Sequence, residues 1–190
     1  CDLSPERISK VRTDHKRQSL CTLPENRQTQ GLVNELPIYQ NVSSASMKQF
    51  VKGGQMDVDK EMENAIALCK KIQLKANDIT APPSSLSGGN QQKVVVAKML
   101  SSDQKVLIMD EPTKGIDVGA KYSIYEIMNS LACKGYGIIM VSSEMPEVLG
   151  VADRVVVMKS GRVTGEFGDM ETVTQEMLLE ASLKEREGHK

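Results

Sequence analysis

Two stretches of the chain carry residue types and spacings suited to chemistry on an anion. The first is Leu86-Ser87-Gly88-Gly89-Asn90-Gln91-Gln92-Lys93. A Ser-Gly-Gly opening a helix lets backbone N–H groups approach a ligand closely, and Ser87 adds a hydroxyl. The helix dipole there favours negative charge. Read as local structure alone, the same residues make a flexible loop with Ser87 as an N-cap. The second stretch is Val106-Leu107-Ile108-Met109, an apolar run entering Asp110-Glu111-Pro112-Thr113. An acid at the C-terminal end of a buried parallel strand stands where α/β folds place ligands. Asp110 there can hold Mg²⁺, and Glu111 can orient and deprotonate a water. The alternative is that the two acids simply end a strand in a turn before Pro112.

These residues need elements to position them. Val58, Met62, Ala65, Ile66, Cys69 and Ile72 recur at helical spacing, with Asp57 or Asp59 as N-cap. Lys52-Gly53-Gly54 reads as a flexible break, and Asn77 to Ser85 as a loop stiffened by Pro82 and Pro83. Val106–Met109 has the pattern of a strand buried on both faces, and Gly137 to Ser142 reads as another buried strand. Between them Ile124, Ile127, Met128 and Leu131 form the inner face of a helix stopped by Gly135. Val155 to Met158 and Arg162 to Glu166 flank Ser160-Gly161 as a hairpin, and residues 172–187 form a tail helix. Strand, helix, strand with short connections predicts a parallel α/β sheet, closed by that hairpin at its edge.

Composition sets bounds on the rest. Of 190 residues, 39% are hydrophobic and 26% charged, which predicts a globular chain rather than a disordered one. Aromatics are 3% and Trp is absent, so aliphatic residues and Met must build the core. A net charge of −1, with lysines and arginines scattered among acids, speaks against a nucleic-acid partner. Cys1, Cys21, Cys69 and Cys133 have neither C-x-x-C spacing nor a His cluster nearby, which predicts reduced thiols rather than disulfides or zinc. His15 and His189 lie in polar context and are expected at the surface. No apolar run approaches the ~18 residues that span a bilayer, and no signal peptide opens the chain. The expectation is a cytoplasmic chain.

Leu86-Ser-Gly-Gly-Asn-Gln-Gln, followed about twenty residues later by Val-Leu-Ile-Met-Asp-Glu-Pro-Thr, resembles the signature motif and Walker B strand of the ABC ATPases. Asp117 in Gly115-Ile116-Asp117 matches the family's D-loop aspartate. Leu23-Pro24-Glu25-Asn26-Arg27 with Gly31-Leu32, Gly115 to Lys121, and Val141 to Val148 are similar to the second nucleotide-binding domain of monosaccharide importers. Among these, the ribose type is the nearest guess. The resemblance implies a partial P-loop NTPase domain of α/β fold, mostly parallel, with an inserted helical subdomain. Residues 1–41 would be ATPase core with the Glu25 loop, and 42–103 the helical subdomain with the signature. Residues 104–168 would hold Walker B, D-loop and switch, and 169–190 a helical tail. It implies ATP and Mg²⁺ as cofactors, with Ser87, Gly88, Gly89, Gln91, Glu25 and Asp117 at the nucleotide, Asp110 on the metal, and Glu111 and Ser143 catalytic. The partners would be a second nucleotide-binding domain arranged head to tail, permease subunits contacted mainly by residues about 25–60, and indirectly a sugar-binding protein. The chain would sit peripherally on the inner face of the cell membrane.

The sequence departs from the general pattern of the resembled family in three places. Glu25 stands where most members carry Gln, and Ser143 where most carry a switch His. A Ser lacks the charge and reach of an imidazole, so hydrolysis at this domain's own site is less expected. No G-x-x-x-x-G-K-S/T occurs in the 190 residues, which implies a chain that starts after the phosphate-cradling loop and is inactive alone. Two rivals follow: a catalytically silent interaction module derived from an ABC domain, and a non-transport ABC ATPase.

Overall fold

The computed structural model describes residues 21–102 and 104–184, so the readings on Cys1, His15, His189 and the end of the tail helix lie outside the described residues. The chain divides into two compact bodies, Cys1–Val141 and Ser142–Lys190.

In the first body, β1 (Cys21–Leu23), β4 (Val106–Asp110) and β5 (Gly137–Val141) form a parallel sheet in the order β1-β4-β5. Leu23 pairs with Met109, and Asp110 with Val141, so the acid pair stands at the C-terminal edge of the central strand. Against this sheet lies a helical layer. It comprises α1 (Ile38–Ser43), α2 (Val58–Lys71), α3 (Gly88–Ser101) and α4 (Val118–Cys133). The α3 helix is its centre. Val94, Val95, Val96, Ala97 and Met99 are all buried, as are Gln91, Gln92 and Lys93, so it is enclosed almost all round rather than on one stripe. Leu23, Ile38, Val42, Ile72, Leu107, Met109 and Ile124 close the same core without an aromatic side chain among them. Fully burying such an aliphatic side chain contributes about 1.5–3 kcal/mol.

Local signals account for the element ends. Asp57 caps α2 by accepting from the Lys60 N–H, the first of the two caps expected. Gly135, at φ +84°, turns the chain out of α4, with the Gly135 and Tyr136 N–H groups closing on Ala132 and Leu131 carbonyls. The expected break at Gly53-Gly54 is instead a tight turn. Both glycines have positive φ, and they join β2 (Val51–Lys52) to β3 (Gln55–Met56) as a two-residue hairpin.

The expectation of strands buried on both faces is corrected for β5. Its residues alternate, with Ile139 52% and Val141 49% exposed, so one side of this edge strand is open. Burial also explains the thiols: Cys69 is pushed up to about 11 by desolvation, and Cys21 is raised for the same reason. Cys21, Cys69 and Cys133 take part in no disulfide.

The second body holds α5 (Met145–Val151), β6 (Val155–Lys159), β7 (Arg162–Phe167) and α6 (Gln175–Leu183). The Ser160-Gly161 turn forms as expected, with positive φ at both residues. The hairpin pairs only with itself among the described residues, rather than joining the parallel sheet. Its strands bury Val155 under α6, whose Leu178 and Ala181 face inward. Arg154 and Glu166 form an exposed ion pair at 2.8 Å.

Candidate functional site

The start of α3 is the first half of the site. Ser87 occupies the N-cap position with extended backbone, yet its side chain makes no capping hydrogen bond. Instead Ser87 Oγ accepts from Asn90 Nδ2 at 3.1 Å, which leaves the hydroxyl proton to donate outward. Ser87 is exposed, and no acid lies in the first turn to neutralise the helix dipole. The first N–H groups of a helix have no intrahelical acceptor. Gly89 is sterically required, and a side chain at Gly88 would displace the Arg27 guanidinium. A Cβ on Gly89 would lie 2.4 Å from Ala120 Cβ of α4, and one on Gly88 would lie 2.8 Å from Arg27 Nη2. The glycines therefore seat the helix N-terminus against its neighbours as well as exposing backbone.

The acid pair is the second half. Asp110 ends β4 partly exposed, and Glu111 follows it in the left-handed region at φ +45°. A non-glycine residue held there costs on the order of 1–3 kcal/mol and persists only when its surroundings fix it. Two bonds fix it here: the Glu111 N–H donates to the Val141 carbonyl at 2.8 Å, and its own carbonyl accepts from Lys114 N at 3.1 Å. The turn takes Glu111 out of the strand's alternation. Among the described residues no group of three or more His, Cys, Asp or Glu gathers to hold a metal. A lone strand-end carboxylate suits Mg²⁺, which keeps waters and shares its shell with phosphate oxygens rather than needing a protein cage.

Glu25 lies in the segment after β1 and pairs with Lys114, beyond the acid pair. The Lys114 ammonium is held above its ordinary range chiefly by Glu25, with Glu111 and Asp110 adding to it. Glu25, Asn26, Arg27, Gln28 and Lys114 line an open pocket of about 350 Å³. Asn26 organises this wall by accepting from the Gln28 and Thr29 N–H groups, capping a single π-turn over Arg27–Gly31. Such turns are rare and cluster at functional sites.

The structure gives the other nominated residues different surroundings. Asp117 is exposed and caps α4, its Oδ1 accepting from Ala120 N at 2.9 Å. Gln91 is buried; its amide donates to the Pro83 and Leu86 carbonyls and so braces the loop before α3. Ser143 is exposed and belongs to the second body, just past β5. Two residues that were not nominated for the site also hold its surroundings: Asn41, whose amide bonds Val33, Leu36 and Pro37, and Arg27, whose guanidinium donates to the Lys114 and Gly115 carbonyls. Arg27 is revealed only by its long-range contacts.

A short parallel sheet with acids at its C-terminal edge, served by a glycine-started helix, defines a nucleotide-binding cassette fold. The profile of the ABC transporter family matches residues 3–114, more than half of the chain. This chain belongs to that family. It is 46% identical over 173 residues to the xylose import ATP-binding protein XylG of Pseudomonas fluorescens (strain Pf0-1), covering 91% of this chain and 33% of that protein. It is 49% identical over 155 residues to the XylG of Geobacillus kaustophilus (strain HTA426), covering 82% of this chain and 31% of the relative. The chain thus spans about a third of the length of the curated relatives it matches. The fold is also that of the dimeric bacterial ABC transporter cassette MJ0796, at TM-score 0.65 and 23% identity over 88% of this chain and 68% of that one. Among the described residues no helix is long and apolar enough to cross a membrane.

Proposed function

We propose that this chain is part of the ATP-hydrolysing subunit of a monosaccharide ABC importer, and that it completes an ATP site held mainly by a partner nucleotide-binding domain. The observation that carries this reading is the start of α3, where an exposed Ser87 hydroxyl is not spent on capping a helix that Gly88 and Gly89 open. With no acid in that first turn, the groups face outward as donors for the charge that develops on a transferred phosphoryl group. The partner would supply the phosphate-cradling loop that faces Ser87, Gly88 and Gly89.

On its own side the chain offers Asp110 to Mg²⁺ and Glu111 to a water. The metal would neutralise phosphate charge there. Glu111, turned out of the strand by its left-handed backbone, would orient the water and take its proton. Asp117 and Gln91 act through the loops they hold, Glu25 through Lys114, and Ser143 as a hydroxyl in the switch position. Closing and reopening of the two cassettes would drive permease subunits that meet residues about 25–60, at the inner face of the membrane. The names of the relatives support xylose ahead of ribose as the sugar to test first, although the sugar-binding protein and permease select it.

Calorimetric titration with Mg-ATP tests the division of labour. The 190-residue chain alone is expected to bind more weakly than about 1 mM, since the backbone cradle and lysine that dominate phosphate affinity are supplied by the partner. Joined with a cassette that carries that loop, it should bind in the micromolar range. Tight binding by this chain alone would mean a phosphate site elsewhere in it and would end the reading.

A further inference from the structure

Arg27 is the first residue of the π-turn, and both ends of its side chain are fixed. Its backbone carbonyl accepts from the Leu32 N–H at 2.8 Å, the long i→i+5 bond that defines the turn. Its guanidinium reaches across 87 positions of sequence to donate from Nη1 to the Lys114 carbonyl at 3.0 Å. Nη2 donates to the next carbonyl, Gly115, at 3.2 Å. A planar fork with two parallel donors suits two successive carbonyls; the single ammonium of a lysine does not. The same guanidinium fills the space beside Gly88, where an added Cβ would sit 2.8 Å from Nη2 and 3.6 Å from Cζ. One side chain therefore touches the Glu25 segment, the loop after the acid pair, and the start of α3. Glu25 and Lys114 join two of these segments again by an exposed ion pair, which alone contributes little. The Arg27 Nε is buried without a partner, so the guanidinium is placed by its contacts with these loops rather than by saturating its own donors.

We propose that Arg27 is a positioning residue that sets the Ser87-Gly88 end of α3 against the Lys114-Gly115 loop. This rests on the reading of α3 as the donor of groups to a partner's ATP site. Gly88 is glycine in part because any side chain there would dislodge the guanidinium from its two carbonyls. A shift of the Glu25 segment is passed through Arg27 to the helix start, since the π-turn and the fork leave the side chain no slack.

The test uses the intact importer with its sugar-loaded binding protein. Arg27→Ala is expected to lower kcat for ATP hydrolysis about tenfold while KM for ATP stays within about twofold, because positioning is lost and no ground-state contact is. Arg27→Lys keeps the charge but not the fork, and should recover about a third of the lost rate. Amide exchange in the same protein should rise at residues 86–92 and 113–118 in Arg27→Ala and stay unchanged through β4 and β5. Unchanged kcat with unchanged exchange at both segments would overturn the proposal. So would a rate loss matched by faster exchange across the whole first body, which marks a general loss of stability. If Ser87→Arg leaves turnover normal, the reading of α3 fails, and the exchange pattern still judges the tether by itself. If Ser87→Arg stops turnover and Arg27→Ala changes nothing, the tether alone fails.

Discussion

Replacing Ser87 with arginine in the intact importer is expected to abolish sugar-stimulated ATP hydrolysis, by at least ~100-fold, the loss typical of removing one preorganised donor from developing charge. Ser87 is exposed at the head of α3, and its hydroxyl is held only by Asn90. Arginine there would remove the short donor and lay a long side chain across the N–H groups of Gly88 and Gly89, blocking the approach of a second cassette. Because Ser87 makes no capping bond, the folded chain should lose little, within about 0.5 kcal/mol, as for other exposed positions. A coupled phosphate-release assay in proteoliposomes, with a melting curve on the same preparation, separates the two effects. Turnover within twofold of the parent would sink the assignment. Glu111→Gln in the same assay should cost less than the ~10²–10⁴-fold expected for removing a working general base, since the sequence resemblance aligns Glu25 and Ser143 with the family's usual Gln and His and so predicts a weak site on this domain's own side. A full loss there would show that this site also turns over.

Much of the scaffold around these residues was legible because it rests on local rules. The spacing of Val58 to Ile72 gave α2, whose N-cap is Asp57. Ser160-Gly161 gave the hairpin, since few residues other than glycine tolerate the positive φ that a two-residue turn demands. Burial of β5 was misread for a physical reason. An apolar run says that a strand prefers a covered face, not that a second layer is there to cover Ile139 and Val141. The short α5 was missed because Pro146 and Gly150 lie inside it, two residues that ordinarily argue against a helix. Pro146 is tolerated because it falls in the first turn, where its N–H would have no partner anyway. The chemical residues divide along the same line. Ser87, Asp110 and Glu111 could be nominated from motif and strand end, because their placement is set by adjacent sequence. Arg27 could not be, since its two acceptors lie 87 and 88 positions away.

Asn41 shows what a buried side-chain network is worth. Asn41→Ala is expected to destabilise the first body by about 3 kcal/mol, the sum of three or so part-buried hydrogen bonds and a small cavity. Asn41 is fully buried in α1. Its Oδ1 accepts from Val33 N at 2.8 Å, and its Nδ2 contacts the carbonyls of Val33, Leu36 and Pro37 at 2.9, 3.0 and 3.1 Å. One amide thus holds both strands of the loop between the π-turn and α1, a loop whose Val33 and Leu36 side chains are exposed and supply little packing of their own. At about 2–4 °C per kcal/mol for a chain of this size, the melting temperature should fall by roughly 6–12 °C. Asn41→Asp distinguishes polar bonding from lost volume. It keeps the size and the acceptor for Val33 N, but sets a buried carboxylate against three carbonyl oxygens and is expected to fall at least as far at pH 7. Burial and those carbonyls raise the new carboxyl's folded pKa above its unfolded value, so protonation favours the folded state. The Asn41→Asp deficit should therefore shrink as pH falls through that raised pKa, while the Asn41→Ala deficit stays constant. Thermal melts of the two variants at pH 5 and pH 7 make the comparison. A fall of less than about 2 °C in Asn41→Ala would show that water replaces these bonds at little cost.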